Sequence, residues 1–351
     1  MNIRKSRRGG NGPTVADVAR LAGVSLMTVS RVVNNQAQVL PETRERVKKA
    51  IAELGYVPNP AARSLAGRGQ CRITLLFNNP SAAFMSELLM GCLAQSRLSD
   101  VILEIEPFSG DEPIETLAKR LTRHRVEGVL LPGLLCDDRD MLRTLHEAGL
   151  EIGRIAATQT SSVGQAVGID DEAAAYTITS HLIASGHKRI GYISGPQQLS
   201  VCQLREAGYK RALQEAGLQL DPAYMMIGDF SYRSGLVATE ALLALPQRPT
   251  AIFAANDDMA AAVISVAHRQ GLEVPGDLSV CGYDDTLVAQ SVWPELTTVS
   301  QPVGKMAAQA LVMLVEAIRK RRRGEPAPAQ LVKMPFALVL RSSDGPPPKP
   351  A

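Results

Sequence analysis

Between residues 14 and 35 the chain reads TVADVARLAGVSLMTVSRVVNN, a run that constrains its fold more than any other. Thr14 is placed to cap a helix, with Asp17 three residues on beside the positive helix end. Val15, Val18, Ala19 and Ala22 then recur on one helical face. Gly23 ends that helix, because glycine takes the left-handed conformation cheaply. Val24 is the apolar plug of a turn and Ser25 caps a second helix, whose buried stripe is Val29, Val32 and Val33. Two short helices joined by a Gly-containing turn form a helix-turn-helix, whose second helix suits the DNA major groove.

A third helix follows. Pro41 fits its first turn, Val47, Ala50, Ile51 and Leu54 form its stripe, and Gly55 stops it. Its outer side carries Arg44, Arg46, Lys48 and Lys49, a basic face that solvent alone could also explain. Charge separates this head from the rest of the chain. Residues 1–70 hold twelve Lys/Arg and four Asp/Glu, a net +8, which leaves −5 of the total +3 for the remainder. A small basic head on a mildly acidic body is the charge pattern of a nucleic-acid-binding domain on a separate scaffold.

The run at 14–35, followed by LPETRERVKKAIAELGYVPNPAARSLAGRG, resembles the lactose-repressor family of bacterial regulators. That resemblance implies an α-helical helix-turn-helix head on an α/β, periplasmic-binding-protein-like core of two doubly wound parallel-sheet subdomains. It places Leu26, Met27 and Arg31 at base-reading positions; arginine can fork onto guanine, and apolar side chains can meet a thymine methyl. Ser25, Thr28, Ser30 and Asn34 read better as phosphate contacts, with Thr14 beside them. Residues 58–67 resemble the family's hinge, helical only on DNA, where Leu65 would wedge into the minor groove.

The organisation expected is a disordered basic arm at 1–13, the head at 14–57, a hinge helix or linker at 58–70, a core at 71–341 and a disordered Pro-rich tail at 342–351. Within the core, RITLLF, VILEIE, GVLLPG, EIGRIA, RIGYISG, AIFAAN and LSVCGYDD read as strands separated by helical stretches. Such alternation builds doubly wound parallel sheets. The resemblance implies two subdomains, 71–168 with 302–330 and 169–298 with 331–341, joined by three crossovers.

Ligands of open α/β sheets sit beyond the carboxyl ends of strands. That rule brings Asn79, Ser81 and Phe84, after the first strand, to a cleft, and Asn256 and Asp284 at later strand ends. Taken one by one, Asn256 and Asp284 are more often helix caps or turn residues; it is their place at the ends of successive strands that favours ligand contact. By resemblance, Arg205 contacts the ligand and Phe230 stacks on it, with Gln301 in the returning crossover. An aromatic face with Asn, Asp and Arg suits the C–H faces and hydroxyls of a sugar or sugar acid. Leu199 stands where purine-sensing relatives would carry an arginine, which argues against a purine.

Other classes fit poorly. There is no P-loop, GxGxxG, GxSxG, or clustered His or Cys, so neither an enzyme nor a cofactor is expected, and no metal site. Five scattered cysteines read as buried free thiols. The basic N-terminus lacks the apolar run of a secretory signal, which favours a cytoplasmic protein over an exported sugar-binding receptor. No leucine heptad follows Arg341, so a homodimer on pseudo-palindromic operator DNA is the expected assembly, with no membrane partner.

Overall fold

A computed structural model describes residues 13–33, 39–56 and 70–349. The chain divides after Gln70 into two compact units.

The first unit contains α1 (Val15–Ala22), α2 (Leu26–Val33) and α3 (Pro41–Leu54). A capping box opens α1: Asp17 N–H bonds the Thr14 hydroxyl at 3.4 Å, and the Asp17 carboxylate accepts from Thr14 N–H at 2.9 Å. Gly23 (φ 63°) and Gly55 (φ 59°) close α1 and α3 in the left-handed conformation. Val18, Ala22, Val29, Val32, Val47 and Ala50 form a small core, with Val24, Ile51 and Leu54 packed against it. Val15 departs from the expected stripe: it lies on the first turn, where no neighbour covers it, and is exposed. Asn34 and the hinge segment with Leu65 lie outside the described residues.

The second unit contains two six-stranded sheets flanked by helices. The first sheet uses β1 (Cys71–Phe77), β2 (Val101–Pro107), β3 (Gly128–Pro132), β4 (Glu151–Ile155), β5 (Gln165–Gly168) and β11 (Gln330–Lys333), in the order β11-β5-β4-β3-β1-β2, all parallel. The second uses β6 (Ile190–Ser194), β7 (Met225–Ile227), β8 (Ala251–Ala254), β9 (Ser279–Asp284), β10 (Thr297–Ser300) and β12 (Ala337–Val339), in the order β12-β10-β9-β8-β6-β7, with only β12 antiparallel. The order reverses between β1 and β3 in one sheet and between β6 and β8 in the other. A parallel α/β sheet opens a crevice at such switch points, beyond the strand carboxyl ends.

The helices are α4 (Ala82–Ser99), α5 (Ile114–Arg123), α6 (Arg139–Glu147), α7 (Asp171–Ala184), α8 (Ser200–Glu215), α9 (Tyr232–Leu243), α10 (Asp257–Arg269), α11 (Leu287–Ser291) and α12 (Val303–Arg322). α12 packs on α4 and on β3–β5, which returns it to the first subdomain. Its basic C-terminal run is paired: Arg322 with Glu127, Arg321 with Glu151 and Arg323 with Glu325.

Two expectations need correction. The last crossover lies after Lys333, not at residue 330, because β11 pairs with β5 of the first sheet from Gln330 to Lys333. Residues 342–349 are not a disordered tail. Ser343 is fully buried; its hydroxyl donates to Val280 O at 2.5 Å and accepts from Thr297 N–H at 2.8 Å. Gly345 O accepts from His187 Nε2 at 2.8 Å, and Gly345 N–H bonds Ser279 Oγ at 3.0 Å. These bonds satisfy backbone groups at the end of the second sheet, which composition alone does not reveal. No described helix is long and apolar enough to cross a membrane.

Candidate functional site

In the helical head, the expected base-reading side chains stand off the core. Leu26 is 53% and Met27 64% exposed at the start of α2, while Val29 and Val32 point inward. Arg31 is half-buried on the same helix and Ser30 is exposed. Ser25 Oγ accepts from Thr28 N–H at 3.1 Å and shares a hydrogen bond with the Thr28 hydroxyl at 2.9 Å, so both groups sit at the helix start. The Thr14 hydroxyl donates to Asp17 at 2.7 Å. An exposed helix start with two large apolar side chains and a basic residue one turn on is a surface that can enter a groove.

In the core, the eight residues expected at the ligand cleft all line one cavity: Asn79, Ser81 and Phe84 follow β1, Phe230, Asn256, Asp284 and Gln301 stand at or after the ends of β7, β8, β9 and β10, and Arg205 stands on α8. Its volume is about 30 Å³, a closed cleft with space for water only. A neighbouring cavity of about 200 Å³ shares Gly133, Leu134, Ala156 and Val201 with it and adds Thr158, Gln198 and Ser200.

Asp284 ends β9 and is 5% exposed. Gln301 donates to its Oδ1 at 2.5 Å, whereas Oδ2 has no hydrogen bond among the described residues. Burial pushes its carboxyl well above the usual range, against the pull of Arg205. Arg205, on α8, stacks its guanidinium 3.6 Å over the Tyr283 ring. Its Nε donates to Asp171 at 2.9 Å and its Nη1 to Ala255 O at 2.6 Å, which leaves Nη2 without a partner among the described residues. Tyr283 O–H donates to the same Asp171 oxygen at 2.8 Å, so one carboxylate holds both members of the stack.

Asn256 is the N-cap of α10, accepting from Met259 N–H at 3.0 Å, and it donates to Phe230 O at 2.9 Å. The cap reading of Asn256 is therefore correct, and the same amide fixes Phe230, whose φ is 70°. Ala156 (φ 59°), Asp284 (φ 112°) and Asp285 (φ 58°) are also left-handed without being glycine. Three of these four line the cleft, the pattern of strain held at a functional site. Gly195, after β6, makes room for the aromatic: a Cβ there would lie 2.4 Å from Phe230 Cζ.

On the first subdomain, Asn79 Oδ1 accepts from Ser81 N–H at 2.8 Å, and Ser81 caps α4 by accepting from Phe84 N–H at 3.2 Å. Ser81 also donates across the cleft to Asp258 at 2.5 Å. Behind the site, Asp257 accepts from Thr298 at 2.7 Å and from Thr286 N–H at 2.8 Å, anchoring the turn after Asp284. Burial pushes Asp257 up to about 7.

Sequence reasoning missed Asp171, Tyr283, Gly195 and Asp258. Asp171 reads as an ordinary first-turn acid of α7, and Tyr283 alternates away from Asp284 along the strand. All five cysteines are buried free thiols, and no metal-ligand group of three His, Cys, Asp or Glu occurs among the described residues.

A helix-turn-helix head joined to a two-subdomain core with a polar interior cleft defines a DNA-binding regulator controlled by a small molecule. Residues 14–59 match the model of bacterial regulatory proteins of the lacI family, and residues 179–343 match the periplasmic binding protein-like domain. Catabolite control protein A of Priestia megaterium is 35% identical over 94% of this chain and 98% of its own. A transcriptional regulator CelR–cellobiose complex has a TM-score of 0.70 at 34% identity, covering 94% of this chain and 99% of that one. A lac repressor dimer bound to operator and the anti-inducer ONPF has a TM-score of 0.72 at 29% identity, covering 95% and 99%. The chain belongs to the LacI family; it is a transcription regulator and not an enzyme.

Proposed function

We propose that the protein is a dimeric transcription repressor whose operator affinity is set by a sugar bound between the two core subdomains. The observation that carries this reading is the convergence of the eight expected residues, from six segments of the chain, on one cavity. Among the described residues, the groups there without a hydrogen bond include a carboxylate oxygen of Asp284 and a guanidinium nitrogen of Arg205, beside the Phe230 ring. That acceptor, donor and apolar face together fit vicinal hydroxyls and ring C–H groups. Of the two ligand classes expected, a neutral sugar fits better than a sugar acid. Arg205 is already paired with Asp171, while Asp284 and Asp258 add acid to the cleft. The structure similar to this chain that was solved with cellobiose supports a saccharide.

A cavity of about 30 Å³ is far below the ~300–1,000 Å³ of small-molecule sites. Sugar binding would therefore join it to the adjacent 200 Å³ space and break the Ser81–Asp258 contact. Movement of one subdomain against the other is the two-state element that such control requires. In the head, Leu26, Met27 and Arg31 would read bases while Thr14, Ser25, Thr28, Ser30 and Asn34 position the duplex. Leu65 would be the minor-groove wedge. Self-association has support in the exposed Ile102 and Ile105 on edge strand β2 and in Met90 and Leu93 on the preceding helix α4. The protein would act in the cytoplasm.

The test is retardation of DNA from the upstream region of its own gene by the full chain, with neutral sugars and sugar acids added in turn. Release by one neutral sugar is the expected outcome. Release by a sugar acid alone would overturn the charge argument, tighter retention would make the ligand a corepressor, and no specific binding would overturn the repressor reading.

A further inference from the structure

A second cavity, of about 450 Å³, opens in the first subdomain between α6, β4 and the segment after β4. Its volume lies within the range of small-molecule sites. Arg154 of β4 forms part of its wall although its side chain is only 1% exposed. Nε donates to Cys136 O at 2.6 Å, and Nη2 donates to Asp137 and to Gln159 O, the latter at 3.1 Å. Nη1 makes no hydrogen bond among the described residues, and it is not among their buried polar atoms that lack a partner, so it keeps some contact with solvent. A buried guanidinium with one nitrogen left over, beside a cavity, can donate to an oxyanion.

The surrounding groups agree in sign. Arg139, Arg143 and His146 face the cavity from α6, and Thr160, Ser161 and Ser162 supply hydroxyls from the opposite segment. Two acids are present. Asp137 is occupied, with Oδ1 taken by Arg154 and Oδ2 by the Thr158 N–H and hydroxyl at 3.1 and 2.6 Å. Glu147 is the other. Arg143 pairs with exposed Asp140, and Arg139 has no ion-pair partner among the described residues.

We propose that this cavity is a second ligand site, taking a small hydroxylated metabolite through a carboxylate or phosphate group held by Arg154, Arg139 and Arg143. The site shares no lining residue with the sugar cleft and meets only the space beside it. Asp137 borders this cavity and, with Thr158, the 200 Å³ space beside the cleft. An anion on Arg154 therefore bears on the segment Ala156–Thr158 that walls the cleft, and its binding couples to that of the effector, each altering the other by the same factor.

Hydrogen exchange of the full chain, with orthophosphate or citrate against chloride at equal ionic strength, tests this directly. Saturable slowing across residues 137–143 and 156–163 is expected at millimolar anion. The double variant Arg139→Ala/Arg143→Ala, altered only at exposed positions, should raise the half-saturating concentration about tenfold. Arg154→Gln should abolish the effect, with circular dichroism confirming its fold. Slowing by phosphate alone would assign a phosphoryl ligand, and slowing by citrate alone a carboxylate ligand. No slowing in these segments, slowing confined to the basic head, or the same half-saturation in the double variant would overturn the proposal.

Discussion

Asp284 and Arg205 line the same cavity, but their loss should have different consequences. Arg205 is locked into a buried pair with Asp171 and a stack on Tyr283. Removing the cation strands the Asp171 carboxylate, so Arg205→Met should destabilise the core by roughly 3–5 kcal/mol in denaturant unfolding. Asp284 is held by Gln301, and its other oxygen faces the cavity. Asp284→Ala should leave operator binding intact and abolish the effector response; a normal response in the retardation assay would remove Asp284 from the site. In the head, Arg31→Ala should cost about 1–3 kcal/mol at one base position and relax specificity there. An equal loss on all DNA sequences would make Arg31 a phosphate contact.

Elements are positioned by close backbone approach as much as by apolar area. α4 crosses α12 where Gly91 meets Gly304, and a Cβ on Gly91 would lie within 2.1 Å of Gly304 O. Neither backbone can yield locally, because each helix is buried along the crossing through Leu88, Cys92, Met306 and Ala307. Gly91→Ala should force the helices apart at a cost of about 1–3 kcal/mol, read as a lower melting temperature of the core. The same displacement would pull Ser81, at the N-terminus of α4, away from Asp258, so the variant should also shift effector affinity.

Across the whole molecule, stability should vary with pH through acids held inside the core. Asp257 titrates near 7 in the fold against an ordinary value of 3.8, because burial disfavours its charge. The folded state then binds more protons than the unfolded state between those values, so this group lowers stability as pH rises from about 4 to 7. Buried Asp284 and half-buried Asp258 shift in the same direction. His187, lowered by burial, opposes this trend below its ordinary value of 6.5, because the unfolded chain protonates first. Core unfolding measured from pH 6.5 to 7.5 should show stability falling, by up to about 1.4 kcal/mol per pH unit for each proton involved. Asp257→Asn should flatten that slope; an unchanged slope would assign it to other groups.

Local order in the sequence determined much of this molecule. The caps and apolar spacing of residues 14–55 specify three helices, because helix termini and stripes depend on near neighbours. The alternation from Cys71 onward specifies parallel sheets, and the rule that ligands lie past strand ends led from sequence to Asn79, Ser81, Phe84, Asn256 and Asp284, while Arg205, Phe230 and Gln301 came with the family resemblance. Interior strand β5 and edge strands β7, β11 and β12 are three or four residues long, too short to carry a period, and formed only because a neighbouring strand was there to pair. The tail after Arg341 is ordered for the same reason: Ser343 and Gly345 fill hydrogen bonds offered by β9, β10 and His187. Asp171 joins Arg205 and Tyr283 across separations of 34 and 112 residues. Arg154 gained its cavity from segments that meet only after folding. Partners so distant in the chain leave no local pattern, because burial and pairing between them arise only when tertiary structure brings them together.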